Sequence, residues 1–394
     1  MQTQPEKLMI TNTHVAQCSA APIAEVKSWV KDPDSPKLID MCQAVPAHLP
    51  AQALLDYLAE VVRNGDGAGY TSWEGIEPLR SALADDINQR YQASITADDA
   101  VITAGCNQAF SAVIDALCEE ADEVIVALPC YFNHQMWLNI RGIVPRYLTL
   151  NTDTAIPDPA EVNDLISERT KAIVLVTPNN PTGATYSPEC IEQFYQLAKA
   201  NNVALIVDET YRDFIDLDKP PHHLFQHQDW SDTFIHLYSF SKVFALTGER
   251  VGAIVCSQSL LKQLEKIQDC AVICAPHSGQ LAATYGIKHL ADWKREKFES
   301  IQQRGEALKQ AFNHSDLKYK LLSVGAYFAY VKHPFAEDSM TVSRRLVEEF
   351  EVLSIPGESF GEDQEQYIRF AFANVDESRF PDLVERLIAS QKSL

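Results

Sequence analysis

The segment SFSKVFALTGERVG, residues 239–252, joins two apolar runs and contains residues suited to amine and phosphate chemistry. Lys242 directly follows the first run, so its ammonium group either extends to solvent or is used chemically. Burial and a neighbouring cation would lower the pKa of Lys242, as Schiff-base chemistry requires, and Arg250 lies in the same segment. Ser239 and Ser241 flank the lysine. A lysine, an arginine and serines that meet in one crevice would suit a phosphate ligand.

An acidic residue follows another apolar run, in the segment DETYRDF that begins at Asp208. A carboxylate at the end of an apolar strand is expected to be buried, which is costly unless a cation pairs with it. A structural ion pair or a helix cap would satisfy Asp208, and so would a protonated pyridine nitrogen. Tyr211 follows in the same segment and could reach the same side. The residues alone leave these alternatives open.

Three further strand ends carry candidate ligand-binding residues. AGCNQA opens a helix, so its backbone N–H groups predict either an anion site or an ordinary strand–helix turn. In PCYFNH, Tyr131 could stack on a ligand and His134 could support a buried acid. Alternatively, Tyr131 is an ordinary packed ring and His134 a surface histidine. PNNPTG is a turn that would hold amide side chains over a crevice, or an ordinary turn. The candidates in these segments are Gly105, Cys106, Asn107, Tyr131, His134 and Asn180.

Short β-branched runs alternate with helical stretches before residue 286, which predicts the buried, mostly parallel sheet of an α/β protein. Such a sheet binds its ligand at the carboxyl ends of its strands, where the unusual residues cluster. We predict strands at 101–103, 124–128, 173–176, 203–207, 234–237 and 251–255. We predict helices at 19–30, 51–63, 75–91, 108–119, 188–200 and 260–269.

The pattern changes after residue 286, which predicts a second, smaller α+β domain. The elements predicted there are a long charged helix at 291–312, strands at 327–331 and 366–372, and helices at 340–350 and 376–390. We therefore divide the chain into a large domain, 45–285, and a small domain formed by 1–44 together with 286–394.

Composition narrows the classes of function. The net charge of −21 over 394 residues argues against a nucleic-acid partner, which requires a basic face. The nine cysteines are odd in number and form no CxxC, so we predict free, mostly buried thiols and no metal site. The first ten residues lack the pattern of a secretory signal, and no apolar run is long enough to span a membrane. We therefore expect a cytoplasmic protein.

SFSKVFALTGERVG and PNNPTG together resemble motifs of the fold-type-I pyridoxal-phosphate enzymes, and specifically of the class I and II aminotransferases. The resemblance covers nearly the whole chain, with the motifs in the family's order. It implies an α/β large domain with a mostly parallel, seven-stranded sheet flanked by helices, and a smaller α+β domain. It also implies the cofactor pyridoxal 5′-phosphate and a homodimer with its site at the subunit interface.

The resemblance assigns catalytic roles to Lys242, Asp208 and Tyr211. Lys242 would bind the cofactor as a Schiff base and move a proton at the substrate α-carbon, and Asp208 would keep the pyridine nitrogen protonated. Asn180 and Tyr211 would hydrogen-bond the ring 3-oxygen, while Tyr131 would stack on the ring. The residues implied to hold the phosphate end are Gly105, Cys106, Asn107, Ser239, Ser241 and Arg250.

Two residues outside these segments also match family positions. Tyr70, in GYTSWEG, resembles the tyrosine that reaches the phosphate of the neighbouring subunit's cofactor. Arg369, in YIRFAFA, resembles the arginine that grips the substrate α-carboxylate with two hydrogen bonds. The other residues expected beside the substrate are Asn180, Tyr131 and Ala44.

Two positions refine the resemblance. His134 stands where some relatives carry a histidine behind the acid, so we expect it to hydrogen-bond Asp208. Ala44, in DMCQAVP, departs from the glycine that is common in the family. This departure predicts either a different backbone φ or a tighter approach to the substrate.

These roles predict an aminotransferase that moves an amino group between an L-amino acid and a 2-oxo acid by a ping-pong mechanism. A C–S β-lyase or a decarboxylase would have a nearly identical cofactor site, so the motifs leave both open. A DNA-binding regulator with an aminotransferase-like domain is disfavoured, because the acidic chain shows no helix-turn-helix pattern. Dicarboxylate-specific relatives use a partner arginine near the segment 272–280, which has none here. A neutral, aromatic or sulfur-containing substrate is therefore favoured.

Overall fold

The computed structural model describes residues 11–151 and 154–393. The helices there are α1 (Thr13–Gln17), α2 (Pro22–Ser28), α3 (Gln52–Asn64), α4 (Glu77–Tyr91), α5 (Cys106–Leu117), α6 (Phe132–Ile140), α7 (Val162–Leu165), α8 (Pro188–Ala200), α9 (Phe240–Val243), α10 (Gln258–Ala271), α11 (His277–His289), α12 (Ala291–Phe312), α13 (Ser339–Phe350) and α14 (Phe380–Ser390). The strands are β1 (Ile39–Asp40), β2 (Ala100–Thr103), β3 (Glu123–Ala127), β4 (Val144–Leu148), β5 (Thr170–Val176), β6 (Ala204–Asp208), β7 (Phe234–Ser239), β8 (Gly252–Val255), β9 (Lys320–Gly325), β10 (Phe328–Lys332), β11 (Val352–Leu353), β12 (Ile355–Pro356) and β13 (Tyr367–Phe370). The first ten residues, assessed above for a secretory signal, lie outside the described ranges.

The largest sheet has seven strands in the order β2-β8-β7-β6-β5-β3-β4. The five strands from β7 to β4 are parallel, whereas β8 runs antiparallel to both of its neighbours. Most residues of β5 and β6 are buried, as their continuous β-branched sequences require in a sheet covered on both faces. The predicted mostly parallel, seven-stranded sheet is confirmed.

Strand β4 belongs to this sheet but was not predicted, because its sequence contains no continuous apolar run. It lies at the edge, beside β3 alone, and its first four residues alternate between exposed and partly buried positions. Pro145 and Arg146 interrupt its apolar character. A proline is tolerated there because an edge strand needs fewer ladder hydrogen bonds.

A second sheet of four antiparallel strands, β12-β13-β10-β9, packs against α12 and α13. Ile39 of β1 pairs with Val352 of β11, which attaches the N-terminal segment to this smaller unit. A separate group of buried side chains, including Tyr327, Leu346 and Phe380, forms its core. The predicted domain boundary at 285 falls inside α11, which packs on α3 and α4 of the larger unit.

Local signals placed several helices well. Helix α8 occupies 188–200 as predicted, because Ser187 caps it by accepting from the Cys190 N–H and a proline takes its first position. Helix α12 also has its predicted bounds, 291–312. The helix predicted at 19–30 is shorter, since α2 begins only at Pro22, in keeping with the preference of proline for the first turn.

Across residues 11–151 and 154–393, we find no helix with both the length and the apolar character needed to cross a bilayer. In the same ranges, no group of three or more His, Cys, Asp or Glu residues is arranged to hold a metal ion. All nine cysteines are free thiols. The prediction that most of them are buried is wrong, because four of the nine are buried, namely Cys42, Cys106, Cys130 and Cys256.

Candidate active site

A cavity of about 520 Å³ lies at the carboxyl ends of β5, β6 and β7, beside the start of α5. It brings together most of the predicted site residues. These are Ala44, Cys106, Asn107, Tyr131, Asn180, Asp208, Tyr211, Ser239, Ser241, Lys242, Arg250 and Arg369. A larger cavity of about 930 Å³, between α4 and the start of α12, contains none of these residues.

Lys242 lies in α9, directly after β7, and its Nζ donates a hydrogen bond to the Ala44 carbonyl oxygen. Burial lowers the pKa of Lys242 to about 8, and the positive charges of Arg250 and Arg369 contribute to the decrease. The amine can therefore lose its proton close to neutral pH, as a nucleophile must. The backbone of Ala44 has no positive φ, so its side chain introduces no left-handed strain.

Asp208 ends β6 and is 4% exposed. Its Oδ2 lies 3.4 Å from Nε2 of His134, and its Oδ1 accepts hydrogen bonds from the Thr210 hydroxyl at 2.7 Å and backbone N–H at 3.0 Å. Burial alone would raise the pKa of Asp208, but the contacts with His134 and Thr210 hold it below its usual value. The carboxylate therefore stays ionised, and the predicted contact with His134 is present.

The start of α5 and Arg250 form the other end of the cavity. Helix α5 begins at Cys106 with no side-chain cap, so its first N–H groups can face an anion. Gly105 precedes it with φ +85°, and a Cβ there would lie 2.2 Å from Nη2 of Arg250. Arg250 also donates to the Ser241 hydroxyl at 3.4 Å, and Ser239 accepts from the Ser241 N–H.

Arg369 lies on β13 and is 1% exposed. Its Nη1 donates to Oδ1 of Asn180 at 2.9 Å, and its Nη2 donates to the Cys42 carbonyl oxygen. The guanidinium carbon lies 5.0 Å from the ring centre of Phe328 and 5.1 Å from that of Phe360. Its Nε has no partner among the described residues. A buried guanidinium that lines a cavity suits a carboxylate ligand.

Two tyrosines border the same space. The Tyr131 hydroxyl donates to Oδ1 of Asn107 at 3.3 Å, and its ring meets that of His134 edge-on at 5.2 Å. Tyr211 is buried against Phe328, with 5.1 Å between the ring centres. Burial raises the pKa of Tyr131 to about 12 and that of Tyr211 well above its usual value, so both hydroxyls stay protonated and can donate.

Some predicted residues lie outside the cavity lining, and some lining residues were missed. Gly105 and His134 stand directly behind it, whereas Tyr70 is 82% exposed on the surface. Of the missed residues, Thr210 carried a local signal, because a carboxylate often accepts from the N–H two residues later. Four others stand beside predicted residues in the motifs PCYFNH and SFSKVFALTGERVG: Phe132, Asn133, Thr247 and Gly248. The rest are Ala21, Ile23, Gln43, Val45 and Val176.

The donor set matches the parts of pyridoxal 5′-phosphate. An ionised, buried carboxylate suits a protonated ring nitrogen, and an amine of lowered pKa suits an aldehyde. The uncapped N–H groups of α5 and Arg250 suit a phosphate. Because Gly105 has no Cβ, the Arg250 guanidinium can lie close to those N–H groups.

Comparison with known proteins gives one family. A family model described as aminotransferase class I and II matches residues 36–387. The chain is 28% identical over 343 residues to an aspartate aminotransferase of Sulfolobus acidocaldarius, covering 84% of each sequence. It is 29% identical over 374 residues to an aromatic aminotransferase of Arabidopsis thaliana, covering 93% of this chain and 92% of that relative.

Solved structures resemble the whole chain. YbdL from Escherichia coli, described with a methionine aminotransferase function, has a TM-score of 0.87 at 24% identity and covers 97% of this chain and 100% of its own. An aspartate aminotransferase from Thermus thermophilus with maleate has a TM-score of 0.87 at 22% identity and the same coverage. At these identities the likeness shows the fold alone, and the predicted fold class is confirmed.

Proposed function

Because the chain belongs to the class I and II aminotransferases, we propose that it transfers an amino group between a neutral L-amino acid and a 2-oxo acid. The cofactor is pyridoxal 5′-phosphate, and the two substrates react in turn by a ping-pong mechanism. The observation that carries this proposal is Lys242, a partly buried amine of lowered pKa in one cavity with Asp208, Arg250 and Arg369.

When bound, pyridoxal 5′-phosphate supplies an electron-accepting ring. Arg250 and the start of α5 hold the phosphate, and Asp208, kept ionised by His134, keeps the ring nitrogen protonated. Lys242 accepts the proton from the α-carbon of the amino donor and, in the second half-reaction, gives a proton to the α-carbon of the amino product. Its lowered pKa allows both transfers near neutral pH. Arg369 holds the substrate α-carboxylate and so orients the α-carbon.

The preference for a neutral substrate follows from the cations of the cavity. Among the described residues that line it, these are Lys242, Arg250 and Arg369. Lys242 acts at the substrate α-carbon, Arg250 holds the phosphate and Arg369 holds the α-carboxylate. No cation among them is therefore left for a second carboxylate of the substrate. Ile23 and Phe132 add apolar surface. A neutral side chain, aromatic or sulfur-containing, is therefore the best match.

The proposed enzyme is a homodimer in which Tyr70 reaches the partner's cofactor phosphate. Tyr70 is 82% exposed in the single chain, which leaves its hydroxyl free to meet a second subunit. The adjacent Thr71 N–H donates to Sγ of Cys274 at 3.4 Å, and His277 contacts the Gly69 carbonyl oxygen at 3.1 Å. The two segments expected at the interface therefore lie side by side. A fully active monomer in analytical ultracentrifugation would contradict this arrangement.

The test is a panel of amino donors, followed through the visible absorbance of the cofactor. We expect neutral donors to remove the absorbance and a 2-oxo acid to restore it, and Lys242→Ala to abolish the cycle. Lys262→Ala, an exposed lysine on α10, is the matched control and should leave it intact. Normal transamination by Lys242→Ala would refute the catalytic assignment. Aspartate as by far the best donor would refute the substrate class, and release of pyruvate and ammonia without an oxo acid would indicate a β-lyase.

A further inference from the structure

We propose that Gly325, at the end of β9, is a positioning residue for substrate binding. Its close approach to Gly183 sets the distance between Asn180 and Arg369, and thereby the grip on the substrate carboxylate. This inference rests on the proposed function, in which Arg369 receives that carboxylate.

Gly325 and Gly183 meet backbone to backbone. A Cβ built on Gly325 would lie 2.3 Å from the Gly183 carbonyl oxygen, and a Cβ on Gly183 would lie 2.4 Å from the Gly325 carbonyl oxygen. Gly183 has φ +74°, which by itself favours glycine, but Gly325 has no positive φ. The close approach, and not the backbone conformation, therefore requires glycine at position 325.

The turn that carries Gly183 is internally fixed. Oδ1 of Asn179 accepts from the Thr182 N–H at 3.1 Å and from its hydroxyl at 2.9 Å. The Gly183 N–H in turn donates to the Asn179 carbonyl oxygen at 2.7 Å. Ser323 of β9 donates its hydroxyl to the Thr182 carbonyl oxygen, which adds a second contact between this turn and the small sheet. Asn180 lies within the turn, so it moves with Gly183.

The small sheet connects Gly325 to Arg369. Gly325 pairs with Phe328 at the start of the β9–β10 hairpin, and Tyr330 of β10 pairs with Arg369 of β13. The sheet therefore contacts the turn at one end through the two glycines and Ser323, and at the other through the 2.9 Å bond from Arg369 to Asn180. A shift at the first contact is passed to the second through the backbone ladder.

The expected displacement follows from the contact distances. A methyl group at position 325 needs roughly 1 Å more room before it reaches an ordinary van der Waals separation from the Gly183 oxygen. A shift of that size would lengthen the bond from Arg369 to Asn180 beyond hydrogen-bonding distance. A misplacement of about 1 Å can cost on the order of 100-fold in an oriented site. Because Arg369 holds the substrate before and during reaction, the loss should appear mainly in KM.

The experiment compares Gly325→Ala with Gly305→Ala in the cofactor-loaded enzyme. A Cβ at Gly305 of α12 would meet Phe372 at 3.5 Å, an ordinary contact, so this control adds the same methyl group without strain. We expect Gly325→Ala to raise the KM for the amino donor by about 10-fold or more, with kcat changed by less than about 3-fold. Calorimetric titration with 3-phenylpropanoate, an unreactive carboxylate, should show the same weakening. Gly305→Ala should match the wild type in both measurements.

Ser323→Ala keeps the proposal testable if Gly325→Ala does not fold, because it removes only the bond to the Thr182 carbonyl oxygen. It should raise KM by a smaller factor at constant kcat. Arg369→Lys separates the two proposals. If it weakens 3-phenylpropanoate binding while Gly325→Ala and Ser323→Ala do not, the positioning role is wrong and the proposed function stands. If Arg369→Lys has no effect, the carboxylate assignment fails and this inference fails with it.

Discussion

The proton affinity of Lys242 can be tested through the rate at which cofactor-free protein takes up pyridoxal 5′-phosphate. Only the neutral amine attacks an aldehyde, so the rate follows the deprotonated fraction of the lysine. Burial, with Arg250 and Arg369, lowers the pKa of Lys242 from 10.5 to about 8. A lysine is neutral above its pKa, so about one-tenth of the amine is reactive at pH 7, a gain of about 300-fold over an ordinary lysine.

The assay mixes cofactor-free protein with pyridoxal 5′-phosphate in a stopped-flow spectrometer over a series of pH values. The uptake rate should rise about tenfold per pH unit up to about pH 8 and then level off. N-acetyl-lysine amide, whose amine is in water, is the control, and its rate should keep rising to about pH 10. A protein rate that keeps rising in parallel with this control would refute the lowered pKa of Lys242.

Three further outcomes follow from individual contacts. His134→Ala removes the imidazole contact at Oδ2 of the buried Asp208 and leaves only the Thr210 bonds at Oδ1. Cofactor binding should therefore weaken by about 10-fold or more in an equilibrium titration. Gly105→Ala places a Cβ at φ +85° against Arg250, and thermal unfolding should show a loss of at least about 1 kcal/mol. Leu205→Ala, in the fully buried centre of β6, should lower the free energy of unfolding by about 2–5 kcal/mol in a denaturant titration.

Residues at strand ends could be predicted because their signal is local. An apolar run that stops at Asp208 or just before Lys242 already indicates burial at the carboxyl edge of a parallel sheet. The same reasoning placed Asn180 and the start of α5, and the structure brings all of them to one cavity. The start of α8 was likewise marked by neighbouring residues, since Ser187 caps it and Pro188 takes its first position.

Other features depend on distant parts of the chain meeting, so the sequence carried no sign of them. Ile23 lines the cavity only because α2 lies beside it. Gly325 reads as an ordinary hairpin glycine until its approach to Gly183 is seen. Strand β4 was missed for another reason, since its edge position leaves it without a continuous apolar run.

The groups proposed to carry out the reaction and the apolar groups that border the cavity come from different parts of the fold. The proposed chemistry relies on sheet strand ends that a mutation could hardly move without disturbing the core, as at Asp208 and Lys242. The apolar wall comes instead from Ile23 and Phe132, near the starts of α2 and α6. Substitutions at these two positions can change which side chain is accepted while the reacting groups keep their places. Substrate choice can therefore drift between relatives faster than the reaction itself.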